Sequence, residues 1–304
     1  MGVFLMKFVL ILLLCVGFML IGMPYQAQVD YPVQGPAQDI SYHSASVPVI
    51  EPAEPDHPPA MDKFDLYLFL GQSNMASRAP VPIFSTGRVD RTYLLNREDR
   101  WEPASFGALR KDGRGVQGYN RYSSVELPDK INGFSMGYPF AQEIVRVVPG
   151  RSIGLIYNAI GGTALGQWQK GADTGYFEEA VRRTRVAMKS GTLRAILWHQ
   201  GERDRNNREY MTQLRKFVQD LRGELGVDDA DVPFLAGELL PMDSFRSFNR
   251  MISDIGQWVP DSDYVDSTGI SDIGDGLHIN AKGQKVLGRR YAEKVLRMVY
   301  GKSE

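Results

Sequence analysis

"LYLFLGQSNMAS", Leu66 to Ser77, is the stretch on which the fold turns. An apolar run stops abruptly at Gly71-Gln72-Ser73-Asn74. Gly, Ser and Asn favour turns. Glycine accepts positive φ, and Asn and Ser side chains can bond their own backbone. Taken alone, the stretch reads most simply as a turn after a strand. The sharper reading is a nucleophile held at the carboxyl end of a buried strand. The rest of the chain decides between them.

Similar apolar runs recur downstream. "FDLYLFL" (Phe64–Leu70), "SIGLIYNAIGG" (Ser152–Gly162), "LRAILWHQGE" (Leu193–Glu202) and "VPFLAGELL" (Val232–Leu240) read as buried strands, with "DYVDSTG" (Asp263–Gly269) a weaker fifth. Amphipathic stretches fall between and after them: Gly137–Val148, Tyr176–Gly191 with Gly191 as the stop, Arg208–Gly226, Ser247–Val259, and Asn280–Val299 with Asn280 as N-cap. Short buried strands alternating with helices predict an α/β fold, a parallel sheet covered on both faces. In such sheets ligands bind beyond the carboxyl ends of the strands. Residues 86–131, rich in Arg, Gly, Asn and Tyr, break the alternation and read as a long insertion over the site.

The chain has 304 residues, with 35 Lys and Arg against 36 Asp and Glu. That balance argues against a nucleic-acid binder, which usually carries a basic excess. The single cysteine, Cys15, lies in an N-terminal apolar run, so the folded part has no disulfide or thiol chemistry. Leu14 precedes it where lipidation would want a small residue. His43, His57, His199 and His278 are scattered, and no Cys/His cluster has zinc-ligand spacing. A structural metal is not expected. Lys7 followed by apolar Phe8–Met23 reads as a signal peptide, with an uncleaved membrane anchor as the competing reading. Either puts the body of the protein outside the cytoplasm, secreted or periplasmic. Residues 24–60 form a proline-rich linker, extended and semi-rigid. The organisation expected is therefore 1–23 leader or anchor, 24–60 linker and 61–304 catalytic domain.

The residues just beyond the strand ends carry the chemistry. The first strand ends in Gly71-Gln72-Ser73-Asn74, the second in Asn158-Ala159-Ile160-Gly161-Gly162-Thr163, the third in His199-Gln200-Gly201-Glu202, and the fifth leads to Asp275-Gly276-Leu277-His278. Ester hydrolysis through a serine needs a nucleophile, a base, a group to orient the base and donors for an oxyanion. Ser73 is the candidate nucleophile and His278 the candidate base. Residues three apart in a turn can face each other, so Asp275 can accept from Nδ1–H and leave Nε2 free. Glu202 follows the third strand and reads most plainly as a cap for the next segment. The Ser73 backbone N–H, one of Gly161 and Gly162, and the Gln200 side-chain amide supply oxyanion donors. Gln72, Asn74 and Arg203 are expected to touch substrate. Each feature has a plain structural reading: glycine pairs are usually turns, His199 beside Trp198 reads as a packed histidine, and Trp101, Trp168 and Trp258 read as core or rim rather than sugar platforms. The coincidence of all four motifs at strand ends favours the catalytic reading.

The motifs "GQSNM" (Gly71–Met75), "NAIGGTALGQW" (Asn158–Trp168), "WHQGERD" (Trp198–Asp204) and "DGLHIN" (Asp275–Asn280) resemble the sialate O-acetylesterase-like branch of the SGNH hydrolases, which includes the family six acetylxylan esterases. The likeness runs from about Phe64 to about Val299. It implies a flavodoxin-like, three-layer αβα sandwich and removal of O-acetyl groups from carbohydrates. It also implies Ser73 as nucleophile, His278 as base, an oxyanion hole from Ser73, a glycine of the Gly161-Gly162 pair and Gln200, and no cofactor. In that branch the triad acid is either the Asp of Asp-x-x-His or the Glu of His-Gln-Gly-Glu, so Asp275 is favoured for its proximity in sequence and Glu202 is kept as helper or alternative. Arg203 stands where that family often has a small residue, which suggests either a narrowed pocket or contact with a carboxylate such as that of a sialic acid. A short-chain lipase or thioesterase-like hydrolase is the alternative enzyme. A catalytically silent carbohydrate-binding module is the alternative outside catalysis.

Overall fold

A computed structural model describes residues 60–82, 87–105, 108–109, 116–117 and 133–302. The chain divides into two units, Met1–Val47 and Pro48–Glu304, and every described residue belongs to the second. The expected leader or anchor, and the linker up to residue 59, lie outside the described residues. No helix among the described residues is long and apolar enough to cross a membrane.

In chain order the strands are β1 (Phe64–Gly71), β2 (Arg88–Leu95), β3 (Trp101–Ser105), β4 (Ala108–Leu109), β5 (Val116–Gln117), β6 (Ser152–Ala159), β7 (Thr192–His199), β8 (Phe234–Gly237) and β9 (Ser262–Val265). The helices are α1 (Ser73–Ala76), α2 (Gly137–Val147), α3 (Tyr176–Ala187), α4 (Tyr210–Leu225), α5 (Arg246–Ser253) and α6 (Ala281–Tyr300). The main sheet has the order β3-β2-β6-β1-β7-β8-β9, and β4 pairs only with β5. Every pair in the main sheet is parallel except β2–β3. The five strands expected from the sequence, β6-β1-β7-β8-β9, stand in the flavodoxin-like order, with the switch in direction of travel at β1. The fold is the expected αβα sandwich.

Aromatic contacts identify the two covered faces. Successive strand residues point to opposite sides. Tyr67 and Phe69 of β1 meet Phe140 of α2 at 4.9 and 5.3 Å between ring centroids, and α2 packs on α6. On the other face Trp198 of β7 meets Phe217 of α4 at 5.0 Å, and Phe217 meets Phe177 of α3 at 6.1 Å. All eight residues of β1 are buried, as befits a strand covered on both sides. Among them is Asp65, fully buried near the amino end of the sheet. It accepts from Arg194 at 2.7 Å, Tyr300 at 2.7 Å and Arg151. Burial would raise its pKa, but those donors outweigh it and hold the carboxyl below the usual range.

Residues 88–105 differ from the expectation. They form an antiparallel pair on the β6 edge of the sheet, so the insertion expected over the site includes two structural strands. Arg183 of α3 holds the pair in place. Its guanidinium is fully buried and donates to Leu95 O at 2.7 Å, Asn96 O at 2.8 Å and Tyr157 O at 2.9 Å. Two helix boundaries also shift. α3 stops at Ala187, ahead of Gly191, where a Cβ would lie 2.5 Å from Phe64 O. The stretch Ser247–Val259 is α5 followed by a separate 3₁₀ turn, Ile255–Gln257. Asn280 caps α6 as expected, accepting from Gly283 N at 2.9 Å.

Candidate active site

The sheet register aligns the ends that matter. Gly71 of β1 pairs with Ala159 of β6 on one side and His199 of β7 on the other. The turn after β1 is laced to both neighbours: Ile160 N donates to Gly71 O at 3.1 Å and Gln72 N to His199 O at 3.0 Å. Gly71 has φ 143°, and a Cβ there would lie 2.1 Å from His199 O. Only glycine fits that position. Ser73 then opens the single-turn α1, with Gln72 as its N-cap. Its residue is 4 % exposed.

Asn74 joins this turn to the loop before α6. Its Oδ1 accepts from Ile279 N at 2.9 Å, and its Nδ2 donates to Leu277 O at 3.1 Å. The carboxamide therefore clasps the backbone on both sides of His278. Within that loop Asp275 Oδ1 accepts from Leu277 N at 2.9 Å and His278 N at 2.8 Å. Asp275 Oδ2 lies 2.6 Å from His278 Nδ1. The three-residue spacing thus brings carboxylate and imidazole together. Burial raises the Asp275 pKa, but the two backbone donors and the imidazole outweigh it and hold the carboxyl below its ordinary range. With Nδ1 on a carboxylate, Nε2 is the nitrogen left to take a proton.

Glu202 lies elsewhere. It is 4 % exposed, and its Oε1 accepts from Asn74 Nδ2 at 2.5 Å. Its Oε2 is buried without a hydrogen-bond partner among the described residues. Burial pushes its pKa up to about 7. Of the two carboxylates weighed for His278, Asp275 is the one bonded to the ring.

Gln200 is fully buried, and its Nε2 donates to Asp204 Oδ2 at 2.6 Å, Thr163 O at 3.0 Å and Gln72 Oε1 at 3.2 Å. Carboxylate and carbonyl oxygens can only accept, so the amide orientation is fixed by its partners. An NH₂ group has two hydrogens, and both are committed inside the protein. The amide read from "HQGE" as an oxyanion donor braces the turns after β1, β6 and β7 in this structure. Asn74, expected to touch substrate, is 1 % exposed with its amide fully engaged, for the same physical reason. Gln72 is 3 % exposed and accepts from Gln200. Arg203 is exposed, in the turn after Glu202. Gly161 and Gly162 form the turn after β6, with Gly162 exposed at φ 74°.

Two further residues of the site carry no signal of their own in the sequence. Asp204 Oδ2 also accepts from Leu165 N at 2.7 Å. Tyr210 OH donates to Gln200 and itself accepts from Trp198 Nε1 at 3.0 Å. Asp204 lies inside "WHQGERD", but nothing in the spacing marks it as a brace. His199 is fully buried and packed, with a pKa lowered to about 4 by desolvation; its Nδ1 lies 3.4 Å from Tyr291 OH, and its Nε2 has no hydrogen-bond partner among the described residues. Trp168 and Trp101 are core residues, while Trp258 is 42 % exposed.

The profile of a family described as carbohydrate esterase, sialic acid-specific acetylesterase, matches residues 63–297. A probable carbohydrate esterase of Arabidopsis thaliana is 26 % identical over 246 residues, covering 76 % of this chain and 90 % of that protein. The X-ray structure from that plant superposes with a TM-score of 0.64 at 23 % identity, covering 76 % of this chain and 97 % of that one. The crystal structure of NanS gives a TM-score of 0.59 at 14 % identity, covering 80 % and 99 %. At those identities the two structures establish the shared fold.

Proposed function

This chain belongs to the sialic acid-specific acetylesterase family of carbohydrate esterases, and on that footing we propose that it removes O-acetyl groups from carbohydrates through Ser73, His278 and Asp275, by way of an acetyl-enzyme. The observation that carries the reading is the 2.6 Å contact between His278 Nδ1 and Asp275, in a loop that Asn74 clips to the serine's own turn.

His278 Nε2 takes the Ser73 proton as Oγ attacks the acetyl carbonyl. The carbonyl π electrons move to oxygen. The oxyanion is met by the Ser73 backbone N–H and a backbone N–H of the Gly161-Gly162 turn. His278 then protonates the departing sugar oxygen as the ester C–O bond breaks. Water, deprotonated by the same nitrogen, attacks the acetyl-serine; the Oγ–acyl bond then breaks, His278 returns its proton to Ser73 Oγ, and acetate leaves. Asp275 keeps the imidazole in the tautomer that both steps need and stabilises the imidazolium. Gln200 supports this arrangement by bracing the turns after β1, β6 and β7. The apolar N-terminal segment supports a site of action outside the cytoplasm.

The test is acetate release from O-acetylated sialic acid and from acetylated xylo-oligosaccharides, by wild type and Ser73→Ala. Loss of about a millionfold in kcat is expected in the variant. Binding of these sugars with no acetate released by wild type would show a carbohydrate-binding module instead.

A further inference from the structure

Asn74 is the point where three segments meet, and each of its side-chain bonds has a fixed sense. Ile279 N can only donate, so it requires Oδ1; Leu277 O can only accept, so it requires an Nδ2 hydrogen. The second Nδ2 hydrogen goes to Glu202 Oε1 at 2.5 Å. Asn74 is the side chain that meets the Glu202 carboxyl; otherwise backbone groups of Gly201 and Glu202 itself face it. Its second oxygen is buried without a partner among the described residues. A buried carboxyl so poorly satisfied is costly to the fold. Its one side-chain bond is to the residue that clasps both sides of His278.

We propose that Glu202 is a positioning residue that acts through Asn74, its carboxyl fixing the carboxamide that holds the His278 loop in register with Ser73. The proposal rests on the assignment of Ser73 and His278 above. Without an acceptor at position 202, one Nδ2 hydrogen loses its partner and the carboxamide is held by two bonds instead of three. The clasp then loosens and the base wanders. A misplacement of about 1 Å can cost about a hundredfold in rate without weakening substrate binding.

The test measures kcat and KM of the full chain with 4-nitrophenyl acetate for Glu202→Gln, Glu202→Leu, Asn74→Ala and Asn74→Ala/Glu202→Leu. Labelling of Ser73 by a fluorophosphonate is followed in parallel. Glu202→Gln keeps an acceptor oxygen and is expected within about threefold of wild-type kcat. Glu202→Leu should lose about 30- to 100-fold in kcat with KM nearly unchanged. In the Asn74→Ala background the same change should cost less than about twofold, because coupled residues are not additive. A Glu202→Gln enzyme as impaired as Asp275→Asn would overturn the proposal, since the charge rather than the acceptor would then matter. An equal cost of Glu202→Leu in both backgrounds would overturn it too. If Glu202→Leu does not fold, Glu202→Ala in the wild-type and Asn74→Ala backgrounds takes its place, with the same loss expected in the first and an equal cost in both overturning the proposal. Wild type that takes no label at Ser73 would refute the serine assignment, and the proposal with it.

Discussion

Asn74 and Glu202 meet at 2.5 Å across 128 residues of chain, whereas Asp275 and His278 meet across three. That difference sets what the sequence reveals at the residue scale. A local Asp-x-x-His turn can be read from its spacing. A carboxamide that bridges two distant loops cannot, and within "GQSN" Asn74 has the look of a substrate contact. The bracing by Gln200 is hidden for a related reason: two of its acceptors, Thr163 O and Gln72 Oε1, become neighbours only when β6 and β7 flank β1. Three predictions belong here. Asp275→Asn should lower kcat by about ten-thousandfold, the effect of a wrongly tautomerised imidazole. Gln200→Ala leaves buried partners unsatisfied and should cost about 1–3 kcal/mol of stability, read as a lowered denaturant midpoint. A loss confined to kcat, with stability unchanged, would return Gln200 to the oxyanion hole. Arg203→Ser should reduce the preference for acidic over neutral acetylated sugars; an unchanged ratio in competition assays would release Arg203 from substrate recognition.

Elements are legible where burial imposes a period. β1, β6, β7 and β8 are apolar runs because helices cover both faces, and α4 and α6 show helical spacing because one side of each meets the sheet. β2 is not legible. "RVDRTYLL" (Arg88–Leu95) mixes charge with few apolar residues, the composition of a partly exposed strand near a sheet edge. What anchors it is Arg183 on a helix far along the chain. One buried guanidinium ties α3 to the carbonyl and carboxamide oxygens of Leu95, Asn96, Tyr157 and Asn158. Arg183→Met would leave these acceptors without their donor, and a loss of about 1–3 kcal/mol or more in urea unfolding is expected. The hydrogen exchange of β2 amides should rise with it. An unaltered unfolding midpoint would mean that water or a neighbour replaces the arginine.

For the whole molecule, strand and helix periodicity point to an α/β domain with a rim of polar strand ends, and the sheet register turns that rim into one site. The same burial that builds the site makes stability depend on pH. Glu202 has its pKa raised from 4.5 to about 7 by desolvation. The folded protein therefore holds a proton that the unfolded chain gives up between those values. This contribution is complete below pH 4.5 and is lost as pH rises through 7, on the order of 3 kcal/mol. His199 acts in the opposite sense. Its pKa falls from 6.5 to about 4, so its contribution is complete above 6.5 and is lost as pH falls through 4. Glu202→Gln should remove only the alkaline loss. Its melting temperature should gain on wild type between about pH 5 and about pH 8, and a constant difference across that range would contradict the buried-carboxyl account. The central claim, however, is covalent. The most direct measurement is a rapid quench of wild type during turnover of 4-nitrophenyl acetate, followed by peptide mass mapping. One acetyl group is expected on the peptide carrying Ser73, formed at burst rate and absent in Ser73→Ala. Steady turnover with no acetylated Ser73, or equal turnover by Ser73→Ala, would contradict it.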